Sequence, residues 1–455
     1  MTSVGRLLVR ALRIDLFDLN AAFDPDRLDD ILLMVHSSIL KPGLVRRMAM
    51  FIYHAARSAL RCEWRFPRHI DSSRPLVFVC TKNQEQSVQP LVDRLPGTVF
   101  VGAWGFGRIP YPIAAAHLIS VIYLPIVLWQ FVRSNRRRRR SFTFAFEEYW
   151  LAYGHYVVSH LLLARLRPSI LIVTNDHLML PRTLLVAAKE QGIPTCYVQH
   201  ASVSQRFPAL MFDLAFLDGR DAAVKYDRPA SAGTQCFLTG IAKFDAYHGL
   251  INTRERVQTL GICVNDVDPM KEIGALCCHI RSELPELPIV LRPHPIVFRK
   301  RAREWSALAQ RYGCLISDPV VETSFAFLNK VDAIVVGESN ITLEAALLNV
   351  VPIYFAFAGH AHDIYGFFSC GLVDRCEATP EEVVTRLREL IHYKPSWRAR
   401  ASRYCATIGT PYDGRSTDLM LEVLRQFLAG HVAMNGWRKV DGLNYLHAYA
   451  PATIP

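Results

Sequence analysis

VVGESNITLEAALLN, residues 335–349, decides how this 455-residue chain is read. A short apolar, β-branched run beginning at Asp332 stops at Gly337, and a helix opens with Ser339, Asn340 and Thr342. VPIYFAF (351–357) follows as a second apolar strand. Strand, helix, strand at this spacing is a parallel β-α-β unit. Working toward the N-terminus, the same alternation continues through CLISD (314–318), a helix over 299–312 and PIVLRPHP (288–295). Before these lie a helix over 268–284, with Asp268 as N-cap and Pro269 in its first turn, and the strand GICVN (261–265). These elements form one Rossmann-like domain, assigned to residues 248–428 with a last helix at 416–428. The tail, 429–455, carries no clear signal. The segment 246–260 reads as the linker.

Beyond the linker a second set of strands appears: LVFVC (76–80), TVFVG (98–102), SILIVTND (169–176), TCYVQH (195–200), DLAFLDG (213–219) and CFLTG (236–240). Helices over 87–94, 144–166 and 180–192 separate them. The N-terminal domain is therefore 1–247, a Rossmann-like core at 75–247 behind a helical lead-in reaching to about residue 70. Apolar stretches at 31–34 and 48–59 mark that lead-in. The fold class is α/β, with two Rossmann-like domains facing each other across a cleft. Parallel sheets bind ligands at the carboxyl ends of their strands, so the chemistry belongs there.

Hydrophobic residues make up 51% of the chain and charged residues 20%, which excludes a disordered or low-complexity protein. Eleven cysteines without CxxC spacing exclude a disulfide scaffold and a structural zinc site. The net charge of +11 is uneven, because Arg133 and Arg136–Arg140 place six positive charges within eight residues. Immediately before them, IAAAHLISVIYLPIVLWQFV (113–132) contains no Asp, Glu, Lys or Arg. That length can span a bilayer, lie on one, or pack as a buried helix. His117, Ser120, Pro125 and Gln130 argue against spanning, as does its position inside a continuous α/β domain. Arg6, Arg10, Arg13 and Asp15 break up the N-terminal leucines, so no signal peptide is expected. The expected location is cytoplasmic, peripheral at an inner membrane through residues 113–140. The arginine run lacks the interleaved aromatics of a nucleic-acid binder.

Four strand ends carry candidate chemistry. At GESN, Ser339, Asn340 and Thr342 offer hydroxyls and backbone donors to a phosphate, and Glu344 can accept from ribose hydroxyls. The bland alternative is an ordinary N-cap by Ser339 or Asn340. At RPHP, two prolines hold His294 at a strand end, where it can stabilise or protonate a leaving phosphate, and Arg292 supplies a bidentate phosphate donor. At YVQHAS, His200 faces the cleft from the other lobe. Asp176 ends the neighbouring strand, so His200 or Asp176 is the candidate base; His177 reads as structural. At TGIAKFD, Lys243 can reach an anionic donor.

The order QH, TGxxKFD, RPHP, GESN-x-TLEA and HDIYGF (362–367) resembles bacterial surface-polysaccharide glycosyltransferases of the GT-B fold. The likeness is to CMP-Kdo and CMP-sialic acid transferases with HP and S motifs, and to CDP-glycerol polymer transferases. It implies that His294, Ser339 and Asn340 contact the donor nucleotide. It also implies that His200 is the base, with Ala201 where the polymer transferases have glycine. The implied substrates are a nucleotide sugar, CMP-linked Kdo or a related acidic sugar, and a surface glycan or its lipid-linked precursor. No separate cofactor and no metal are expected. Five alternatives compete. A polyol-phosphate polymer transferase, a UDP-sugar transferase or a UDP-sugar 2-epimerase would share the fold. A hydrolase using Ser339 is disfavoured because Ile341 replaces the second glycine of G-x-S-x-G. A non-catalytic membrane scaffold is the last.

Overall fold

The computed structural model describes residues 3–26, 28–29, 32, 41–67, 73–265, 267–357, 359, 362–430 and 436–452. Most of the apolar stretch 31–34 lies outside them, as does Asp266. Among the described residues seven strands precede the linker: β1 (Leu76–Val79), β2 (Val99–Gly102), β3 (Ile109–Pro110), β4 (Leu171–Val173), β5 (Thr195–Val198), β6 (Leu214–Leu217) and β7 (Gln235–Leu238). Six follow it: β8 (Leu260–Val264), β9 (Ile289–Pro293), β10 (Leu315–Ile316), β11 (Ala333–Val336), β12 (Val351–Phe355) and β13 (Cys376–Glu377). Two more, β14 (Trp437–Lys439) and β15 (His447–Pro451), close the chain. Helices cover both sheet faces, so β1, β2, β5 and β6 are buried at every position and read as unbroken apolar runs.

Among the described residues the first sheet has the order β14-β15-β7-β6-β5-β4-β1-β2-β3 and the second β10-β9-β8-β11-β12-β13. All pairings are parallel except β14 with β15. Strand order reverses between β1 and β4 in the first sheet and between β8 and β11 in the second. Each reversal opens a crevice at the carboxyl ends, and these two crevices face the cleft.

The expected division at 248–428 changes here. Helix Ser416–Leu428 packs Met420, Leu421, Val423 and Leu424 against Val77, Val79, Val88 and Leu91 of the first domain. The Asp245 carboxylate anchors its start, accepting from Ser416 N at 2.9 Å and from Thr417 N and Oγ1 at 2.8 and 2.7 Å. The tail then adds β15 beside β7 and β14 beyond it. An apolar helix face specifies that it must be covered, not by which sheet.

Several helix starts also move. Thr81 accepts from Gln84 N, so that helix runs Lys82–Arg94 instead of starting at 87. Asn135 accepts from Arg138 N, and the arginines become the first turns of a helix Arg136–Leu166 with a break in helical φ/ψ at Ala145. The helix expected at 299 begins at Pro295. Asp268 does not cap its helix, which starts at Met270; its carboxylate accepts from Asn265 N at 2.6 Å.

The lead-in forms a helical layer on the first domain. Helices Ser3–Ala11, Leu44–Leu60 and Leu124–Arg133 gather around Arg136–Leu166. Phe51 stacks on Trp150 with ring centroids 3.6 Å apart, and Trp150 Nε1 donates to Ser120 O at 2.6 Å. Gly154 permits this approach: an added Cβ would lie 1.9 Å from Ala116 O and 2.3 Å from Ser120 Oγ. Gly154→Val is therefore expected to destabilise the protein by about 2–3 kcal/mol in urea unfolding, because backbone must give way. Unchanged stability would show the two helices to be loosely held.

Candidate active site

The first domain builds its half of the site from four consecutive strand ends. After β4 comes Asp176, fully buried, whose carboxylate meets His177 Nδ1 at 2.9 Å and accepts from Tyr226 Oη at 2.5 Å. Burial alone would raise its pKa, but the His177 and Tyr226 hydrogen bonds outweigh it and hold it below the ordinary carboxylate value. Asp176 is thus engaged as an orienting group, not presented to the cleft as the base. Asn175 Oδ1 accepts from His177 N and Leu178 N, which turns Asn175 Nδ2 toward His177 Nε2 at 3.3 Å. His177 Nε2 is accordingly the acceptor, and Nδ1 carries the proton given to Asp176.

After β5 the chain runs through Gln199 and His200. Gln199 accepts from Asp218 N at 2.9 Å and donates to Ala201 O at 2.9 Å, clamping the loop. Asn83 Nδ2 donates to His200 O at 3.1 Å. The His200 ring is half-buried, and its Nδ1 is inaccessible and has no hydrogen-bond partner. Burial above all, with the Lys243 ammonium nearby, pushes its pKa down to about 4 against a smaller upward pull from Asp176. At neutral pH it is an uncharged imidazole, the state a general base requires.

Asp218, after β6, lines the same crevice, and burial raises its carboxyl well above the usual range against a smaller opposing pull from Lys243. The sequence reading missed it, although the strand-end rule that selected His200 applies equally to DLAFLDG. After β7, Gly240 adopts φ 76°, where a Cβ would strike Thr407 Oγ1 at 2.4 Å. Lys243 follows. Its Nζ meets Glu344 Oε1 of the second domain at 2.5 Å and Asn83 Oδ1 at 3.2 Å, with Glu344 buried and Lys243 nearly so.

The second domain answers unevenly. Arg292 is held inside its own domain: it donates to Ser317 Oγ at 2.6 Å and Glu322 O at 2.9 Å and lies over the Phe327 ring. The expected phosphate donor is therefore a domain strut, because the side chain leaves β9 toward β10. His294 is half-buried; its N–H donates to Val264 O at 2.9 Å and its carbonyl accepts from Val297 N and Phe298 N. Neither Ser339 nor Asn340 caps the seven-residue helix Ile341–Leu347 with its side chain. Instead Asn340 Oδ1 accepts from Ser202 N across the cleft at 3.0 Å. Glu338, also missed, accepts from Tyr354 Oη and from Tyr365 N, tying GESN to the HDIYGF loop.

Two spaces result. The inner one, nearly filled, is bordered by Gln199, His200, Asp218, Lys243, Asn340 and Glu344. The outer one is a cavity of about 520 Å³ beside Lys243, with Tyr247 and Phe325 stacked at 4.7 Å in its wall. Of the expected residues, His200, Lys243, Asn340 and Glu344 thus meet in one place. Asp176 stands behind them, His294 and Ser339 line neither space, and Arg292 points elsewhere. Among the described residues His200 Nδ1, at the border of the inner space, is buried without a hydrogen-bond partner.

No family model and no curated protein matches the chain. Among solved structures, the UDP-GlcNAc 2-epimerase of Neisseria meningitidis bound to UDP-GlcNAc is similar at TM-score 0.50 and 13% identity, over 78% of this chain and 100% of that one. A Listeria monocytogenes protein carrying the same enzyme designation is similar at TM-score 0.51 and 14% identity, over 79% and 98%. The wall teichoic acid polymerase TagF covers 85% and 98% at 10% identity, with a TM-score of 0.47 too low to carry an argument. At such identities a likeness speaks for architecture alone. The architecture is that of the GT-B fold.

Proposed function

We propose that this protein is an enzyme that binds a nucleotide-activated sugar in the cleft and transfers the sugar to a cell-envelope glycan or its lipid-linked precursor. The observation that carries this reading is that His200 and Asp218 of the first domain and Lys243, Asn340 and Glu344 border one inner space between the domains. Titratable and charged side chains from two domains that meet at one inter-domain space mark a ligand site.

In this reading Lys243 exchanges Glu344 for the donor phosphate, which frees Glu344 to accept from the ribose. Thr342 and Asn340 add donors, and the Tyr247–Phe325 wall receives the base. His200 takes the proton of the acceptor hydroxyl as that oxygen attacks the anomeric carbon. Asp218 supplies a proton to the departing phosphate in this reading, and His294, which lines neither space, is not assigned that step. Contact between the domains keeps water, the competing acceptor, away. A CMP-linked acidic sugar such as Kdo remains the preferred donor on the motif resemblance.

A second reading, a UDP-sugar 2-epimerase, is favoured by the two likenesses that reach a TM-score of 0.50 or above. Thermal unfolding with CMP, CDP, UDP, GDP and phosphate separates the two. A ligand at about a hundred times its dissociation constant adds roughly 2.7 kcal/mol and raises the midpoint by a few degrees. Selective stabilisation by CMP is expected. UDP acting alone, with sugar isomerised and no nucleotide released, supports the epimerase. No response to any nucleotide overturns both.

A further inference from the structure

The helical layer carries an apolar surface that the cleft chemistry does not use. The segment Ile113–Arg133 is long and apolar enough to cross a membrane, yet only 28% of its most apolar window is buried, unlike a core helix. It does not stand free. A 3-10 turn at Val121–Tyr123 divides it, and Ala116, Ser120, Tyr123 and Val127 are buried against the layer. Ser120 Oγ accepts from Gly154 N at 3.1 Å. A helix fixed along one face to a folded domain cannot present its whole circumference to lipid. The opposite face is exposed: Leu118 by 71%, Ile122 by 60%, Trp129 by 53% and Val132 by 66%.

Neighbouring helices extend that face. An apolar groove of about 460 Å³ lies between Val9 and Leu12 on one side and Ile122 and Trp129 on the other. Helix Leu44–Leu60 adds Ile52 and Leu60, exposed by 64% and 86%. The charge on the same segments is mostly positive. Residues 41–67 contain six Lys or Arg and one acid, and residues 113–140 contain six Arg and no acid. Exposed Arg46, Arg57, Arg133 and Arg136 rim the apolar residues, and Arg133 lies over the Trp129 ring. Large apolar side chains ringed by arginine match a leaflet whose surface is anionic and whose interior is hydrocarbon. The same layer reaches the cleft: Ala22 N donates to His177 O at 3.0 Å, and Arg182 pairs with Asp18 at 2.8 Å.

The geometry points to this face as the docking surface for one leaflet of an anionic bilayer, with the segment 113–133 lying in the interface and not spanning it. The cleft then works at the membrane surface. The test is co-sedimentation of the full chain with vesicles of phosphatidylethanolamine and phosphatidylglycerol at about 7:3, against pure phosphatidylcholine. It needs no nucleotide, so its failure is distinct from failure of the transferase reading. Binding to the anionic vesicles is expected to be at least tenfold tighter than to phosphatidylcholine and to weaken steeply in salt. Leu118→Ser/Ile122→Ser/Trp129→Ser is expected to lose at least tenfold with its unfolding temperature unchanged, and Arg46→Gln/Arg133→Gln/Arg136→Gln to lose the preference for anionic lipid. Equal binding of the parent and the apolar variant overturns the proposal. So does a vesicle-indifferent dimer that the apolar variant dissociates, since the face would then receive a second copy. Retention in membranes through alkaline extraction overturns it in favour of a span.

Discussion

His200→Ala lowers kcat/KM at least a hundredfold, while the protein unfolds within a degree or two of its original temperature. A positioned general base contributes about 10²–10⁴, and a hundredfold loss is about 2.7 kcal/mol at the transition state. Stability is retained because the ring is half-buried and its Nδ1 makes no hydrogen bond in the folded protein. The loop is held from elsewhere, by Gln199 and by Asn83 on the backbone of residue 200. The pH profile sharpens the test. A base must be neutral, and burial has pushed this imidazole down to about 4. Its neutral form persists above that value and is lost as pH falls through it, so the acid limb of kcat/KM lies below about pH 5 instead of near the ordinary histidine value. The limb should vanish from the residual activity of the variant. A limb near pH 6.5 that survives the substitution would remove His200 from this role.

Lys243→Met costs about 3–5 kcal/mol of stability and abolishes nucleotide binding. The ion pair with Glu344 joins the two domains, with Glu344 buried and the Lys243 side chain only 11% exposed. Removing one partner strands the other charge in a poorly solvated place. Adding Glu344→Gln to Lys243→Met takes that charge away and should recover most of the unfolding free energy. Nucleotide-induced stabilisation should not return, because the cation that meets the phosphate is still missing. The pair thus separates holding the cleft shut from holding a ligand, a distinction that only the double variant reads. If Lys243→Met unfolds like the parent, the ion pair is an incidental contact. If the double variant still responds to nucleotide, the phosphate is held by other groups.

Much of this protein was legible in its sequence. Buried parallel strands are apolar at every position, so LVFVC, TCYVQH and DAIVVG announce themselves, and the alternation with helices specifies the α/β class. The strand-end rule located His200, Lys243, Asn340 and Glu344 without any knowledge of their partners. These features depend on neighbours a few residues apart: strand burial, a glycine or proline stop, the next helix. The same locality explains the errors at helix ends, where Thr81 and Asn135 make the caps and apolar periodicity points several residues further on.

The tertiary structure decided everything that required distant segments to meet. It turned Arg292 away from the cleft because Ser317 and Glu322 hold it. It withdrew Asp176 as a base by closing it against Tyr226, fifty residues on. It joined Lys243 to Glu344, a hundred and one residues apart. It returned helix Ser416–Leu428 and the tail to the first domain, where a sheet face and an open edge beside β7 were waiting. A side chain's residue type sets what it can bond with. Which partner it finds depends on packing, because a buried polar group takes whichever partner the folded backbone brings within about 3 Å.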